Sequence, residues 1–404
     1  MEPLIAAVRS ADTSAVEALL EAGADPDTVD EHGTPALVLA VEGFDLPMTE
    51  TLLQHSARPD GVDAEGRTPL LRAIELGAYD LTDRLIGSGA HLWIKDVDGR
   101  DALALARHWH GTDVVAELCR RSGLPGPVER RAVESESGGG CEQLSLGGLT
   151  VRTGHAAILT RLEKSYGIAT PFDELLARAL AEPDTDHDVW YEATATLAMR
   201  TAPAVRDTAA ALRKRADPLE RYFGAEVLRL MHLFDESEDE LVDGPLVELF
   251  LPWVASEPDP RVARALAAAL ADAQDPRREE PLVALTRHPD GEVRRTALAG
   301  LHHVIERGDH AARSAAVERT EDEEAVVRVQ ACRALAAAPV HDRGAADVLA
   351  ARLADPDEDV RVEAAARLAL RDDPRGDDVL AGLDPADEES PYHWLLYEVS
   401  WHRR

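Results

Sequence analysis

Glycine recurs at positions 33, 66 and 99, and each time it opens a similar octet: GTPALVLA, GRTPLLRA and GRDALALA. A fixed period of 33 residues means that one short unit is written repeatedly, and such units stack into solenoids. The columns agree. Leu4, Leu37, Leu70 and Leu103 repeat at this spacing, as do Ala7, Ala40, Ala73 and Ala106, and Leu19, Leu52, Leu85 and Leu118. One unit cannot bury its own apolar face, whereas a stack of four can.

The segments GADPDTVDEHG, SARPDGVDAEG and GAHLWIKDVDG end on those glycines. Each opens on a small residue, where a helix can stop. Each carries an aspartate near its end and then glycine, as a tight turn requires. Between them lie two apolar-periodic runs, in the third unit TPLLRAIELG and YDLTDRLIGSG. Thr68 followed by Pro69 predicts a helix start, with a capping hydroxyl before proline at the first helical position.

The octet GRTPLLRA, the period and the turn segments resemble ankyrin repeats over residues 1–125. The family's histidine after TPL is replaced by Leu71, Val38 and Ala104, and the first and last units read as caps. The resemblance implies protein binding through finger tips and a concave helix face. Asp30, His32, Asp63, Glu65, Asp96 and Asp98 would then form an acidic rim. Trp93 stands where the two preceding fingers have Asp27 and Asp60. It is either a binding anchor, as aromatic residues often are at interfaces, or a packing residue against its own repeat or the next domain.

Residues 126–150, rich in Gly, Ser and Glu, read as a flexible linker. Within it, LSLGGLTVRTG has the form of a hairpin turning at Gly147–Gly148. GHAAILTRLEKSYGI and TPFDELLARALAEPD each predict a helix.

A second repeat occupies the remainder, residues 151–404. Val293, Ala297 and Leu301, then Val327, Ala331 and Leu335, then Val360, Ala364 and Leu368 fall at i, i+4 and i+8, one apolar helical stripe. Weaker copies begin at Val189, Glu220 and Val262. Acidic turns before each stripe supply caps and favourable charge for the helix dipole. The pattern resembles HEAT-like repeats. Arg294, Arg328 and Arg361 are expected to make ladder contacts with acidic turns of adjacent repeats. Tyr392, Trp394, Tyr397 and Trp401 either cap the final repeat or dock a partner, which makes Trp394 and Trp401 candidate partner residues. The fold class is therefore all-α: two α-solenoids, an ankyrin-repeat stack followed by a HEAT-like superhelix of helical hairpins.

The net charge of −33 repels phosphate backbones and anionic lipid at long range. Neither a nucleic-acid nor a membrane partner is expected; a protein partner is, and the charge favours a basic one. Cys119, Cys141 and Cys332 lie far apart with no CxxC, which fits a reducing compartment. The opening residues lack a signal-peptide core, so a soluble cytoplasmic protein is expected. Arginine vastly outnumbers lysine, which is confined to Lys95, Lys164 and Lys214, a bias of high-GC genomes such as bacterial ones.

No phosphate loop, GxSxG, HExxH or zinc spacing occurs. The histidines around Trp109 and at His302, His303 and His310 read as solvated or turn residues. FDESEDELVDG, from Phe234 to Gly244, lacks EF-hand order and reads as an acidic insertion. No catalytic residue, metal or cofactor is implied. The expected function is a non-catalytic interaction scaffold or adaptor. Two alternatives remain: a HEAT-like DNA glycosylase, which needs a basic groove, and an acidic DNA mimic that inhibits a basic protein.

Overall fold

The computed structural model describes residues 2–134, 139–200, 202–234, 243–384 and 390–403. Most of the acidic insertion, residues 235–242, lies outside the described residues. The chain divides into two compact units, residues 1–200 and 201–404.

The first unit opens with four helix pairs: α1 (Pro3–Arg9) with α2 (Thr13–Glu21), α3 (Ala36–Glu42) with α4 (Leu46–Gln54), α5 (Pro69–Glu75) with α6 (Tyr79–Gly87), and α7 (Ala102–His110) with α8 (Val114–Ser122). Asp12, Asp45, Thr68, Asp101 and Asp113 cap these helices, each accepting from the backbone N–H three residues on. The inner helices α1, α3, α5 and α7 pack in succession. Their repeating leucines and alanines at 4, 37, 70, 103 and 7, 40, 73, 106 are buried, so the period seen in sequence is the core.

The linker expected over 126–150 is instead mostly a three-stranded antiparallel sheet, β1 (Glu129–Glu134), β2 (Gly140–Leu146) and β3 (Leu149–Arg152), in that order. Residues 135–138, which include Gly138, lie outside the described residues. The expected hairpin is present: Leu146 pairs with Leu149 across Gly147 and Gly148, both at positive φ. Glycine-rich composition suggests coil, but docking decides the outcome. Leu144 and Val151 are buried, and α8 packs on β2 and β3. The Arg152 N–H donates to the Leu76 carbonyl at 2.7 Å, and Gly154 N–H to the Gly77 carbonyl at 3.1 Å.

Three helices complete this unit: α9 (His155–Ser165), α10 (Phe172–Leu180) and α11 (Asp188–Ala198). α9 packs on α7, and α11 on α9, so the inner stack continues past the sheet. The stripe Val189, Ala193 and Leu197, expected to begin the second solenoid, is buried within this first unit. The unit boundary therefore falls near residue 200 rather than at the linker.

The second unit is a run of helical hairpins. α12 (Pro203–Ala211) precedes α13 (Pro218–Leu233), α14 (Asp243–Val254) precedes α15 (Pro260–Asp272), and α16 (Glu279–Leu285) precedes α17 (Gly291–Gly300). After the short α18 (His302–Glu306), α19 (His310–Arg319) precedes α20 (Ala325–Ala336) and α21 (Arg343–Ala351) precedes α22 (Glu358–Ala369). α23 (Asp377–Leu380) and α24 (His393–His402) follow. The second helices α13, α15, α17, α20 and α22 pack in order, and their Val/Ala/Leu stripes form the core. Asp217, Asp259, Asp290 and Asp357 cap α13, α15, α17 and α22, the role expected of the acidic turns, whereas Glu324 before α20 makes no side-chain cap.

Candidate functional site

The three finger aspartates adopt one geometry. Asp30 Oδ1 accepts from the N–H groups of His32 and Thr34, Asp63 Oδ1 from Glu65 and Arg67, and Asp96 Oδ1 from Asp98 and Arg100, all within 2.8–3.0 Å. The second oxygen of each meets a guanidinium: Arg9 for Asp30, Arg67 for Asp63 and Arg100 for Asp96. The side chains are almost wholly buried. These aspartates therefore build the turns and are not free to form an acidic rim. A carboxylate three residues before the glycine of its turn satisfies the turn's own donors first. His32, Glu65 and Asp98 do stay exposed at the tips.

Asp27 and Asp60 have a different task. Asp27 Oδ1 accepts from Arg58 N–H at 2.7 Å, and Asp60 Oδ1 from His91 N–H at 2.8 Å. Each pins the start of the next finger. Trp93 occupies this column where no further finger follows, so the pin has nothing to hold. Its ring lies 5.5 Å from that of Tyr166, the residue that follows α9, whose hydroxyl donates to the Leu92 carbonyl at 2.6 Å. One edge of Trp93 packs on the following segment while 65% of the residue stays in solvent. With it, Val29, Val62 and Val97 on the same fingers are 48%, 49% and 78% exposed. Each of the three fingers thus leaves at least one apolar side chain open to solvent. Val29 and Val62 share the 33-residue spacing, and that spacing was the signal available for them in sequence.

A cleft of about 580 Å³ lies between the α5–α6 turn, α7, α8 and the sheet. Sequence reasoning did not single out its residues. Glu75 is central: its Oε2 accepts from Arg67 at 2.9 Å and Arg72 at 3.0 Å, and its Oε1 from Arg121 at 2.7 Å. Burial opposes ionisation of Glu75, but the three guanidinium groups outweigh it and hold the carboxyl below the usual range. Arg72 also binds Glu42 at 2.9 Å, and Arg152 pairs with Asp80 and lies over the Phe44 ring. Trp109 forms the floor, sandwiched between Arg121 and the stacked His155 ring, whose pKa burial pushes down to about 4. The carboxylates Glu42, Glu75 and Glu117 facing the cleft each already hold an arginine. This network welds the repeats to the sheet. Glu42 and Glu75, one period apart, were its only trace in the sequence.

In the second unit the expected arginine ladder is present. Arg294 donates to both oxygens of Asp322 at 2.9 and 2.7 Å, and Arg328 to both of Asp355 at 3.0 and 2.8 Å. Each also donates to two carbonyls of its own preceding turn. Arg221, one residue after Glu220, adds an earlier rung to Glu257. Arg361, expected to be the third rung, departs from the ladder: among the described residues it binds only the Asp355 and Pro356 carbonyls of its own preceding turn. The aromatic residues expected at the end of the chain separate. Tyr392 packs inward, while Trp394, Tyr397 and Trp401 face solvent.

Among the described residues no group of three or more His, Cys, Asp or Glu side chains converges on a metal position. No helix among them is long and apolar enough to cross a membrane. The family model for ankyrin repeats (3 copies) matches residues 4–96, and that for HEAT repeats matches residues 247–336. No curated protein matches the chain. The chain carries ankyrin repeats followed by HEAT repeats.

Proposed function

We propose that the protein is a non-catalytic adaptor that holds a protein partner on the finger face of its ankyrin repeats. Both repeat types generally serve protein–protein contacts, which gives the coarse reading. The observation that carries the finer one is the exposure of Val29, Val62, Trp93 and Val97 on successive fingers. Exposed apolar patches rimmed by polar groups mark interaction sites. The overall charge favours a partner with a basic surface.

The glycosylase alternative called for arginines open to a groove. Arg294 and Arg328 are instead committed to Asp322 and Asp355, which supports a structural role. The mimic called for regular surface carboxylates, and the most regular ones, Asp30, Asp63 and Asp96, are turned inward.

The test is affinity capture from the native host at low and high salt, comparing the intact chain with Trp93→Ala and Val62→Ser. The expected result is a stoichiometric protein that survives high salt with the intact chain and is lost with either variant. A partner retained equally by both variants would remove the finger face from consideration. A partner held only at low salt would indicate charge-driven association in place of a built site.

A further inference from the structure

The sheet lays one polar row along the cleft of about 580 Å³ that it shares with α5, α7 and α8. Arg131 of β1 is in register with Gln143 of β2, and Gln143 with Arg152 of β3. Residues directly opposite one another in antiparallel strands share a face, so these side chains stand side by side. All of them line the cleft, and Arg72 and Arg121 line it from the helical side. Guanidinium groups thus flank the space on two sides, in a chain whose net charge is −33.

Their commitments differ. Arg72 serves Glu42 at 2.9 Å and Glu75 at 3.0 Å. Arg121 serves Glu117 and Glu75, both at 2.7 Å. Arg152 serves Asp80 at 3.0 Å. Arg131 has no carboxylate partner among the described residues, and the side-chain amide of Gln143 has no hydrogen bond among them. One positive charge therefore faces the cleft unmatched, beside a free amide. The rest of the wall is apolar and open: Phe44 and Val114 are half-buried and Leu149 is exposed. Phe44 holds φ +56°, one period before Gly77 at φ +65°. A bulky residue is disfavoured in that left-handed region, where glycine fits freely. What phenylalanine adds at this turn is its ring, which lies against the cleft with the Arg152 guanidinium 4.6 Å from its centre.

We propose that this cleft binds a small organic monocarboxylate, its charged end on Arg131 and Gln143 and its apolar body against Phe44, Val114 and Leu149. A carboxylate takes two parallel hydrogen bonds from a guanidinium, and the neighbouring amide N–H supplies a third. One unmatched charge suits a monoanion. The second charge of a phosphate would instead be set against Glu75 and Glu117, which line the same space. The volume falls within the range of about 300–1,000 Å³ usual for small-molecule sites. The site lies within the first unit and uses no finger residue, so it stands apart from the adaptor reading.

The experiment titrates the full chain with 2-naphthoate and follows the fluorescence of the probe. Saturation at one site is expected, with a Kd of about 1 mM or tighter. The neutral 2-naphthamide should bind at least about tenfold more weakly, and Arg131→Gln should weaken 2-naphthoate by a similar factor. Arg131 is exposed, so its replacement should leave the thermal midpoint in place. Arg130→Gln, on the opposite face of β1, should leave binding unchanged. Gln143→Glu, which sets a carboxylate in the row, should abolish it. Trp93→Ala, on the fingers, should bind the probe as the unmodified chain does. The absence of saturable binding up to about 5 mM would overturn the proposal. So would equal binding of acid and amide, equal effects of Arg131→Gln and Arg130→Gln, or displacement of the probe by an equal concentration of inorganic phosphate.

Discussion

The Tyr79 hydroxyl donates a 2.6 Å hydrogen bond to Oε2 of Glu192, joining the start of α6 to α11 across 113 residues of sequence. Both residues are buried. Burial pushes the Glu192 carboxyl above its usual range, and it pushes the Tyr79 phenol up as well. Tyr79→Phe should destabilise the first unit by about 1–3 kcal/mol, because a buried acceptor loses its donor. A raised carboxyl pKa contributes stability below the unfolded value, which is lost as pH rises through the folded one. Glu192→Gln removes that loss, so it should be neutral or stabilising at pH 7. Urea unfolding followed by circular dichroism measures both.

Gly77 sits at φ +65°, and a Cβ there would lie 2.0 Å from the Arg152 carbonyl oxygen. Gly77→Ala therefore has to separate the α5–α6 turn from the sheet. Gly89, at φ +86°, has open space around its missing Cβ. Gly89→Ala should cost only about 1 kcal/mol, from its left-handed backbone alone. Gly77→Ala should cost several times that and increase hydrogen exchange at Arg152 and Gly154. Equal costs would contradict the close packing.

Along the ladder, removing either partner of a buried ion pair strands the other. Arg294→Ala or Asp322→Ala should each destabilise the second unit by about 3–5 kcal/mol. Arg361→Ala loses only its bonds to two carbonyls among the described residues, roughly 0.5–1.5 kcal/mol each. Thermal melts of the three variants should separate them in that order.

Acid should weaken both units. Burial works against the charged forms of Asp96, Asp322 and Asp355. The adjoining guanidinium groups and backbone N–H donors outweigh it and hold all three carboxyls below their usual values. A lowered carboxyl pKa supplies stability above the unfolded value, near about 3.9 for Asp, and loses it as pH falls through the folded one. The melting midpoint of the second unit, which lacks Glu192, should therefore be flat above about pH 5 and fall steeply below about pH 4. Asp322→Asn should lower the midpoint at neutral pH and flatten the acid limb.

Periodicity made the helices legible because each repeat buries the same columns, so Leu37, Leu70 and Leu103 announce themselves. The ladder was legible for the same reason: Arg294 and Arg328 follow valines one period apart. Of the sheet, only the hairpin at Gly147–Gly148 was legible; β1 and the docking of the sheet were not, since Leu144 and Val151 are its only fully buried apolar side chains and their partners are far away in sequence. The inward turn of Asp30, Asp63 and Asp96 was also hidden. A repeated aspartate reads equally as a surface charge or as an acceptor for its own turn, and only geometry distinguishes them. The cleft around Glu75 arises from a contact between repeat and sheet that no single window of sequence contains.

Stacked repeats lean only on their neighbours, which lets them peel away one at a time. Here Arg152 reaches back 72 residues to Asp80, Arg161 reaches 78 to Asp83, and Tyr79 reaches forward to Glu192. These struts turn the later ankyrin repeats, the sheet and α9–α11 from a spring into a braced frame. Tension applied at the first residue would draw out the opening repeat gently. It would then meet a single stiff block that yields all at once.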